Sequence, residues 1–135
     1  MQTFFSGNLA AVKIDGRWGF IGLEGKTVIP CQFNFASGFS EGLAAVKINS
    51  TWGYINKLGT VVIPPQFDQV SNFSEGIAAV GMGGKYGYIN SLGKIVIPLQ
   101  YDQAFDFSNG LATVRIDEKY GYIDFSGKYV WHPTS

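Results

Sequence analysis

The sequence repeats itself every 34 residues, and no insertion or deletion disturbs the register. Three rows of equivalent residues show the period: Phe5, Phe39, Phe73 and Phe107; Trp18, Trp52, Tyr86 and Tyr120; and Gly25, Gly59, Gly93 and Gly127. A fixed period of this length is typical of solenoids, propellers and other arrays of one supersecondary unit. We therefore divide the 135 residues into units 5–38, 39–72, 73–106 and 107–135, and interpret 1–135 as a single repeat domain.

The second unit shows how one repeat is built from short strands. Alternating or β-branched residues predict three strands, at 43–48, 52–55 and 61–63. Pro64 and Pro65 are expected to end the third strand, because proline cannot donate a ladder hydrogen bond. Residues 66–70 are predicted to form either a short fourth strand or an extended crossover. The fold class is therefore all-β, with four antiparallel β-meander units and helix nearly absent, as a compact closed, propeller-like array or an open superhelical one.

Glycines mark the turns between these strands. Gly42, Gly76 and Gly110 stand at equivalent places in three units, and Asn8 holds that place in the first. Asparagine is the residue that best replaces glycine in a left-handed backbone conformation. We therefore expect positive φ at this turn, and also at Gly59 in the turn before the third strand.

Period-two alternation assigns side chains to the two faces of the first strand. One face carries three apolar rows and is predicted to be core: Ala10, Ala44, Ala78 and Ala112; Val12, Val46, Val80 and Val114; and Ile14, Ile48, Met82 and Ile116. The other face carries a variable row that is predicted to meet solvent: Lys13, Lys47, Gly81 and Arg115. In the second strand, a glycine always separates two aromatic residues, which lets a ring or a backbone segment lie flat there.

Composition and charge argue against several classes of function. Ten acidic and ten basic residues give a net charge of zero, and no Lys/Arg run occurs, so we expect neither a nucleic-acid nor a membrane-surface partner. No signal peptide or transmembrane segment is evident, which makes a cytoplasmic location the default expectation. Cys31 and His132 are the only residues of their types, so no zinc spacing exists. With no recognisable catalytic constellation, we expect no enzymatic activity, no metal and no cofactor.

Three segments recur in order at fixed spacing, and together they resemble a known family. In one-letter code they are F-S-E-G-L-A-A-V, W-G-Y-I and G-T-V-V-I-P-P-Q-F-D. Over essentially the whole chain this pattern is similar to the bacterial WG repeat, also called the KWG repeat, with Tyr86 and Tyr120 in place of tryptophan. The resemblance implies a β-rich repeat protein of bacteria with a presumed binding role, and it supplies no catalytic residues.

Binding is expected where the units differ, because residues present in every unit are explained by the shared core. Phe35, Phe105 and Trp131 are aromatic departures from the repeat, and they combine with the basic residues of the variable row to give the candidate partner-binding residues Lys13, Lys47, Arg115, Phe35, Phe105 and Trp131. A protein-interaction scaffold with an unidentified protein partner is the leading hypothesis. Small-ligand or glycan binding through aromatic side chains is the second. A self-assembling structural module, which would make the protein a homo-oligomer, is the third.

Overall fold

A computed structural model describes residues 3–6, 9–22 and 24–131, with side chains described for 9–22 and 24–131. The described residues contain sixteen strands in four four-stranded antiparallel sheets and no helix. The first sheet contains β1 (Thr3–Ser6), β2 (Leu9–Ile14), β3 (Arg17–Gly22) and β4 (Thr27–Phe33). The second contains β5 (Phe35–Ala36), β6 (Ala44–Ile48), β7 (Thr51–Ile55) and β8 (Val61–Phe67). The third contains β9 (Gln69–Val70), β10 (Ile77–Met82), β11 (Lys85–Asn90) and β12 (Ile95–Tyr101). The fourth contains β13 (Gln103–Ala104), β14 (Ala112–Ile116), β15 (Lys119–Ile123) and β16 (Tyr129–Trp131).

Each sheet is a meander in which strands pair in chain order, so the predicted all-β class and the four antiparallel meanders are confirmed. The second, third and fourth sheets begin four residues before the units drawn from the sequence, and the first described strand begins two residues before the first unit. Gln69 and Val70 pair with β10, so the segment predicted at 66–70 is divided between the end of β8 and the first strand of the next sheet.

Two compact units divide the chain, Met1–Phe67 and Asp68–Ser135. The first contains the first and second sheets, and the second contains the third and fourth. The prediction of a single repeat domain over 1–135 stays a prediction.

The last strand of each of the first three sheets corresponds to the third strand predicted from the sequence. It continues through its prolines, although the sequence predicted that they would end it. In the first sheet, Phe20 pairs with Ile29 and Trp18 pairs with Phe33, so that Gly19 alone faces three residues. A Cβ on Gly19 would lie 2.6 Å from both the nitrogen of Cys31 and the carbonyl oxygen of Ile29. Because the proline lies in the bulge, it does not have to donate a hydrogen bond to the neighbouring strand. The absence of a side chain on Gly19 lets the bulged backbone lie flat over that residue.

A two-residue turn joins Ser40 to Leu43, whose backbones exchange two hydrogen bonds of 2.8 and 3.1 Å. Both turn residues have positive φ, 53° at Glu41 and 83° at Gly42, as in a type I′ hairpin. Gly76 and Gly110 also have positive φ, as does Gly59, so the predicted left-handed glycines are confirmed. Asn8, on which that prediction was based, lies outside the described residues.

Face-to-face stacking of sheets forms the core of each half. We call the face that carries Phe20, Tyr54, Tyr88 and Tyr122 the aromatic face of its sheet, and the face with the Ala10 and Val12 rows the alanine face. In the first half, Phe20 and Ile29 pack with Ala44 and Val46 of the next sheet, and the rings of Phe20 and Phe39 lie 4.8 Å apart. In the second half, a cluster of the same kind joins Tyr88, Ile97, Tyr101, Phe107, Ala112 and Val114.

Burial corrects two details of the predicted faces. The face assigned to solvent carries buried Ala11, Ala45 and Ala79, so only its hairpin end, with exposed Lys13, approaches water. Ile14 and Met82 were assigned to the core but are exposed, because they lie at hairpin tips beyond the stacked sheets.

Candidate functional site

The aromatic face of the fourth sheet is exposed. Tyr54 and Tyr88 are fully buried, whereas Tyr122 at the equivalent position is 45% exposed. An apolar row crosses this face from strand to strand: Tyr122 pairs with Thr113 on one side and with Trp131 on the other. Phe105 extends the row, since its N–H donates to the carbonyl of Thr113 at 3.0 Å. Large rings therefore lie along the whole width of the sheet.

The third sheet shows how such a face is normally covered. The ring of Phe107 lies 5.0 Å from that of Tyr88, and the Tyr88 hydroxyl donates to the carbonyl of Phe105 at 2.6 Å. Burial raises the pKa of the Tyr88 phenol well above its ordinary value. Among the described residues, Tyr122 has a ring contact only with Trp131, at 5.7 Å, and its ring stays about half-exposed.

Charged residues flank the apolar row. On one side, Arg115 lies over the ring of Tyr120, with its guanidinium carbon 5.9 Å from the ring centre. On the other side, Asp106, Leu111 and Tyr122 line an open depression of about 250 Å³. Pockets for drug-sized molecules usually enclose about 300–1,000 Å³. A shallow surface with aromatic anchors and a charged rim is more typical of a protein interface.

Three of the six candidate residues from the sequence share this face, namely Phe105, Arg115 and Trp131. The other three belong to the first half. Phe35 pairs with Lys47 in the second sheet, and Lys13 pairs with Trp18 in the first.

The Phe35 ring connects these first-half residues. It lies 5.2 Å from the ring of Trp18 and 5.7 Å from that of Trp52. Phe35 is 45% exposed, whereas Trp18 is buried, so this cluster presents one exposed ring edge beside two lysines. The structure thus separates the candidate residues into two groups, one in each half.

Repeated polar residues stabilise turns at Asn34, Asp68 and Asp102. A side-chain oxygen of each accepts a hydrogen bond from a backbone N–H in the following hairpin turn, at Asn49, Gly83 and Asp117, over 2.7–3.0 Å. Asp102 also forms an ion pair of 2.8 Å with Lys85. The hydrogen bond from Lys85 holds the pKa of the Asp102 carboxyl below its ordinary value.

The repeated Ser-Glu pair connects one turn to the next. The Ser74 hydroxyl donates to the carbonyl of Phe107 at 2.8 Å. The Glu75 carboxylate accepts hydrogen bonds from the N–H groups of Asn109 at 2.7 Å and Gly110 at 2.9 Å. These carboxylates and hydroxyls therefore have a structural role between the third and fourth sheets.

The model of the WG containing repeat matches four consecutive segments, 3–18, 18–52, 52–86 and 86–120. The chain belongs to the WG-repeat family. In this WG-repeat chain the last three matched segments run from the first aromatic residue of β3, β7 or β11 to the equivalent residue of the next sheet. No curated protein matches the chain. The described residues contain no helix long and apolar enough to span a membrane.

Sequence reasoning missed Tyr122 and Asp106. Tyr122 belongs to a row that is aromatic in every unit, and such a row predicts core rather than surface. A signal was nevertheless present in the sequence, because three residues around this tyrosine in the fourth sheet all depart from the repeat. Alanine becomes Thr113, isoleucine becomes Trp131 and serine becomes Phe105.

Proposed function

We propose that this WG-repeat chain is a non-catalytic module for protein–protein interaction, and that the aromatic face of the fourth sheet is its contact surface. The supporting observation is the exposure of Tyr122 on a face whose equivalent in the third sheet is buried. Exposed rings beside an arginine are the side chains that most often dominate binding energy in protein interfaces. The repeated hydroxyls and carboxylates in the second half have structural partners instead, which supports a binding role over a catalytic one.

Site-specific photo-crosslinking tests the proposal directly. A photoreactive phenylalanine analogue at position 122, in the full chain in cells of the source organism, is expected to form a discrete protein adduct. The same analogue at Leu92 is the control, because that side chain is 76% exposed in a turn of the third sheet, away from the face. Equal crosslinking at both positions, or none at either, would refute a protein-binding face.

Two substitutions separate binding from folding. Trp131→Ile and Phe105→Ser introduce the residues found at the equivalent positions, Ile97 and Ser71. We expect the adduct at position 122 to fall several-fold in each variant, with an unchanged free energy of unfolding. Phe35→Gln, which copies Gln69, is the matched control in the first half and should leave the adduct unchanged.

Glycan binding is a second candidate function, which the Phe35 cluster favours. The exposed Phe35 ring lies beside Trp52 and Lys47 and forms an aromatic surface suited to stacking against a sugar ring. Phe35→Gln is then expected to abolish retention of the chain on a glycan array, whereas Trp131→Ile should not. No retention of the parent chain on any glycan would exclude this alternative.

A further inference from the structure

Several large side chains are exposed together on one side of the fourth sheet. Phe105, Tyr120, Tyr122 and Trp131 are each 45–49% exposed, and Leu111 at the edge is 41% exposed. Exposed apolar side chains that are grouped on one face and bordered by polar residues are typical of sites of association. Within each half of the chain, an aromatic face is covered by another sheet of the same protein, as Tyr88 is by Phe107. A second copy therefore offers matching chemistry.

The second copy cannot simply extend the stack of sheets in the same direction. Sheets stack by placing an aromatic face on an alanine face, and the centre of each alanine face, formed by the alanine and valine rows, is already buried. The four alanines that define those faces are at most 2% exposed: Ala10, Ala44, Ala78 and Ala112. An aromatic face of one copy thus finds no open alanine face on another, and the contact left to it is with its own equivalent.

The charges on this face are arranged for such a contact. Arg115 lies at one end of β14, and Leu111, which lines the depression with Asp106, precedes the other end. Four residues of strand separate Arg115 from Leu111 by roughly 13 Å. Thr113, paired with Tyr122, lies midway between the ends. A two-fold axis near Thr113 therefore brings Arg115 of each copy towards Asp106 of the other.

We propose that the chain forms a two-fold symmetric dimer through the aromatic face of its fourth sheet, with Arg115 of each copy opposite Asp106 of its partner. The contact is isologous, so the Arg115–Asp106 ion pair forms twice, once on each side of a centre of Tyr122 and Trp131 rings. This inference rests on the proposed function, since it assigns a partner to the same face.

Charge reversal in the full chain tests the arrangement by sedimentation velocity over a concentration series. The parent chain is expected to sediment as a dimer at high concentration and as a monomer on dilution. Arg115→Asp and Asp106→Arg should each raise the dimer dissociation constant at least about tenfold, because each places like charges together twice. Lys94→Asp, on an exposed residue of the third sheet, is the control and should leave it unchanged.

The mixing experiment is decisive. An equimolar mixture of Arg115→Asp and Asp106→Arg chains restores opposite charges at both contacts, so it is expected to form a heterodimer of near-parental affinity. The double variant with both substitutions should dimerise for the same reason, which also shows that neither change unfolds the chain. Failure of both to recover the parental constant would overturn the geometry.

The outcomes also distinguish this inference from the function on which it rests. If the parent chain stays monomeric at every concentration and position 122 crosslinks to a different protein, the binding face is supported. The same result refutes a second copy of the chain as its partner. Loss of every adduct at position 122 refutes both. An adduct with the mass of two chains, absent from the Asp106→Arg variant and regained in the mixture, supports both.

Discussion

Single residues with positive φ set the turns of this protein. A Cβ added to Gly42 would meet no heavy atom within 4 Å, yet its φ is 83°. Backbone conformation, and not crowding, therefore requires glycine there. At Gly19 the requirement is reversed: crowding by the bulged strand excludes a side chain, and φ is ordinary.

Gly42→Val and Gly42→Asn distinguish the two causes. Valine should lower the free energy of unfolding by about 1–3 kcal/mol, because a β-branched residue is strained at positive φ. Asparagine tolerates this conformation and should cost within about 1 kcal/mol. Urea unfolding of both variants measures the difference, and equal losses would show that packing dictates glycine at this turn.

The buried hydroxyl of Tyr88 gives a second prediction at this scale. Phe20 holds the equivalent place in the first sheet, so Tyr88→Phe fits sterically and removes only the hydrogen bond to the carbonyl of Phe105. We expect a loss of about 1 kcal/mol in the free energy of unfolding, measured in urea near neutral pH.

The same variant should change the alkaline behaviour. Burial raises the pKa of folded Tyr88 above its ordinary value of 10.0. The unfolded chain therefore releases this proton first, and the stability present below that pH falls as pH rises above it. Urea unfolding on either side of this pH should show a flatter decline for Tyr88→Phe than for the parent. Identical declines would mean that Tyr88 does not contribute.

At the scale of elements, turns connect sheets as well as strands. Glu75 has a φ of 55°, which is unfavourable for glutamate, and its carboxylate accepts two hydrogen bonds from the next turn. Asn109 has the same φ in the equivalent turn and contributes only its backbone N–H to the contact. A comparison of these two positions therefore separates the stabilisation that the Glu75 carboxylate provides from the cost of positive φ.

Glu75→Gly and Asn109→Gly use that pair. Relief of φ is partly offset by the greater freedom of glycine in the unfolded chain, so Asn109→Gly should change the free energy of unfolding by less than about 0.5 kcal/mol. Glu75→Gly also loses two charge-assisted bonds and should cost about 1–2 kcal/mol. Chemical denaturation measures both, and a neutral Glu75→Gly would show that the turns are not coupled through this carboxylate.

Some of the elements could be predicted from the sequence, and others could not. The period, the strands and the left-handed glycines were predictable, because each depends on local backbone chemistry. The bulge at Pro64 and Pro65 was not, since it depends on the neighbouring Gly53, whose missing side chain makes room for that backbone. Of the candidate site, Phe105, Arg115 and Trp131 were found as departures from the repeat. Tyr122 was not, because whether a repeated ring is covered depends on the neighbouring sheet, not on its own segment.

At the scale of the whole molecule, the continuity of the repeat predicts whether the two compact halves unfold together. The sequence continues its 34-residue register through Phe67 and Asp68 without a break, and one family match, 52–86, spans that point. The stability of a repeat protein depends on the interfaces between neighbouring units. When those interfaces are strong, a substitution that destabilises one unit also lowers the stability of the others. We therefore expect one cooperative domain, as the sequence predicts.

Ile97→Ala tests this expectation, because Ile97 is fully buried in the core cluster of the second half. Truncation of a buried isoleucine should lower the free energy of unfolding by about 2–5 kcal/mol. Native-state hydrogen exchange then reports where the loss appears. In a single domain, the most protected amides of β6 and β7 in the first half should lose protection by the same amount as those of β10 and β11. Leu92→Ala, on an exposed turn, is the control and should leave both halves unchanged. Loss confined to residues 68–131 would show instead that the halves unfold independently and that the chain is two domains of two repeats each.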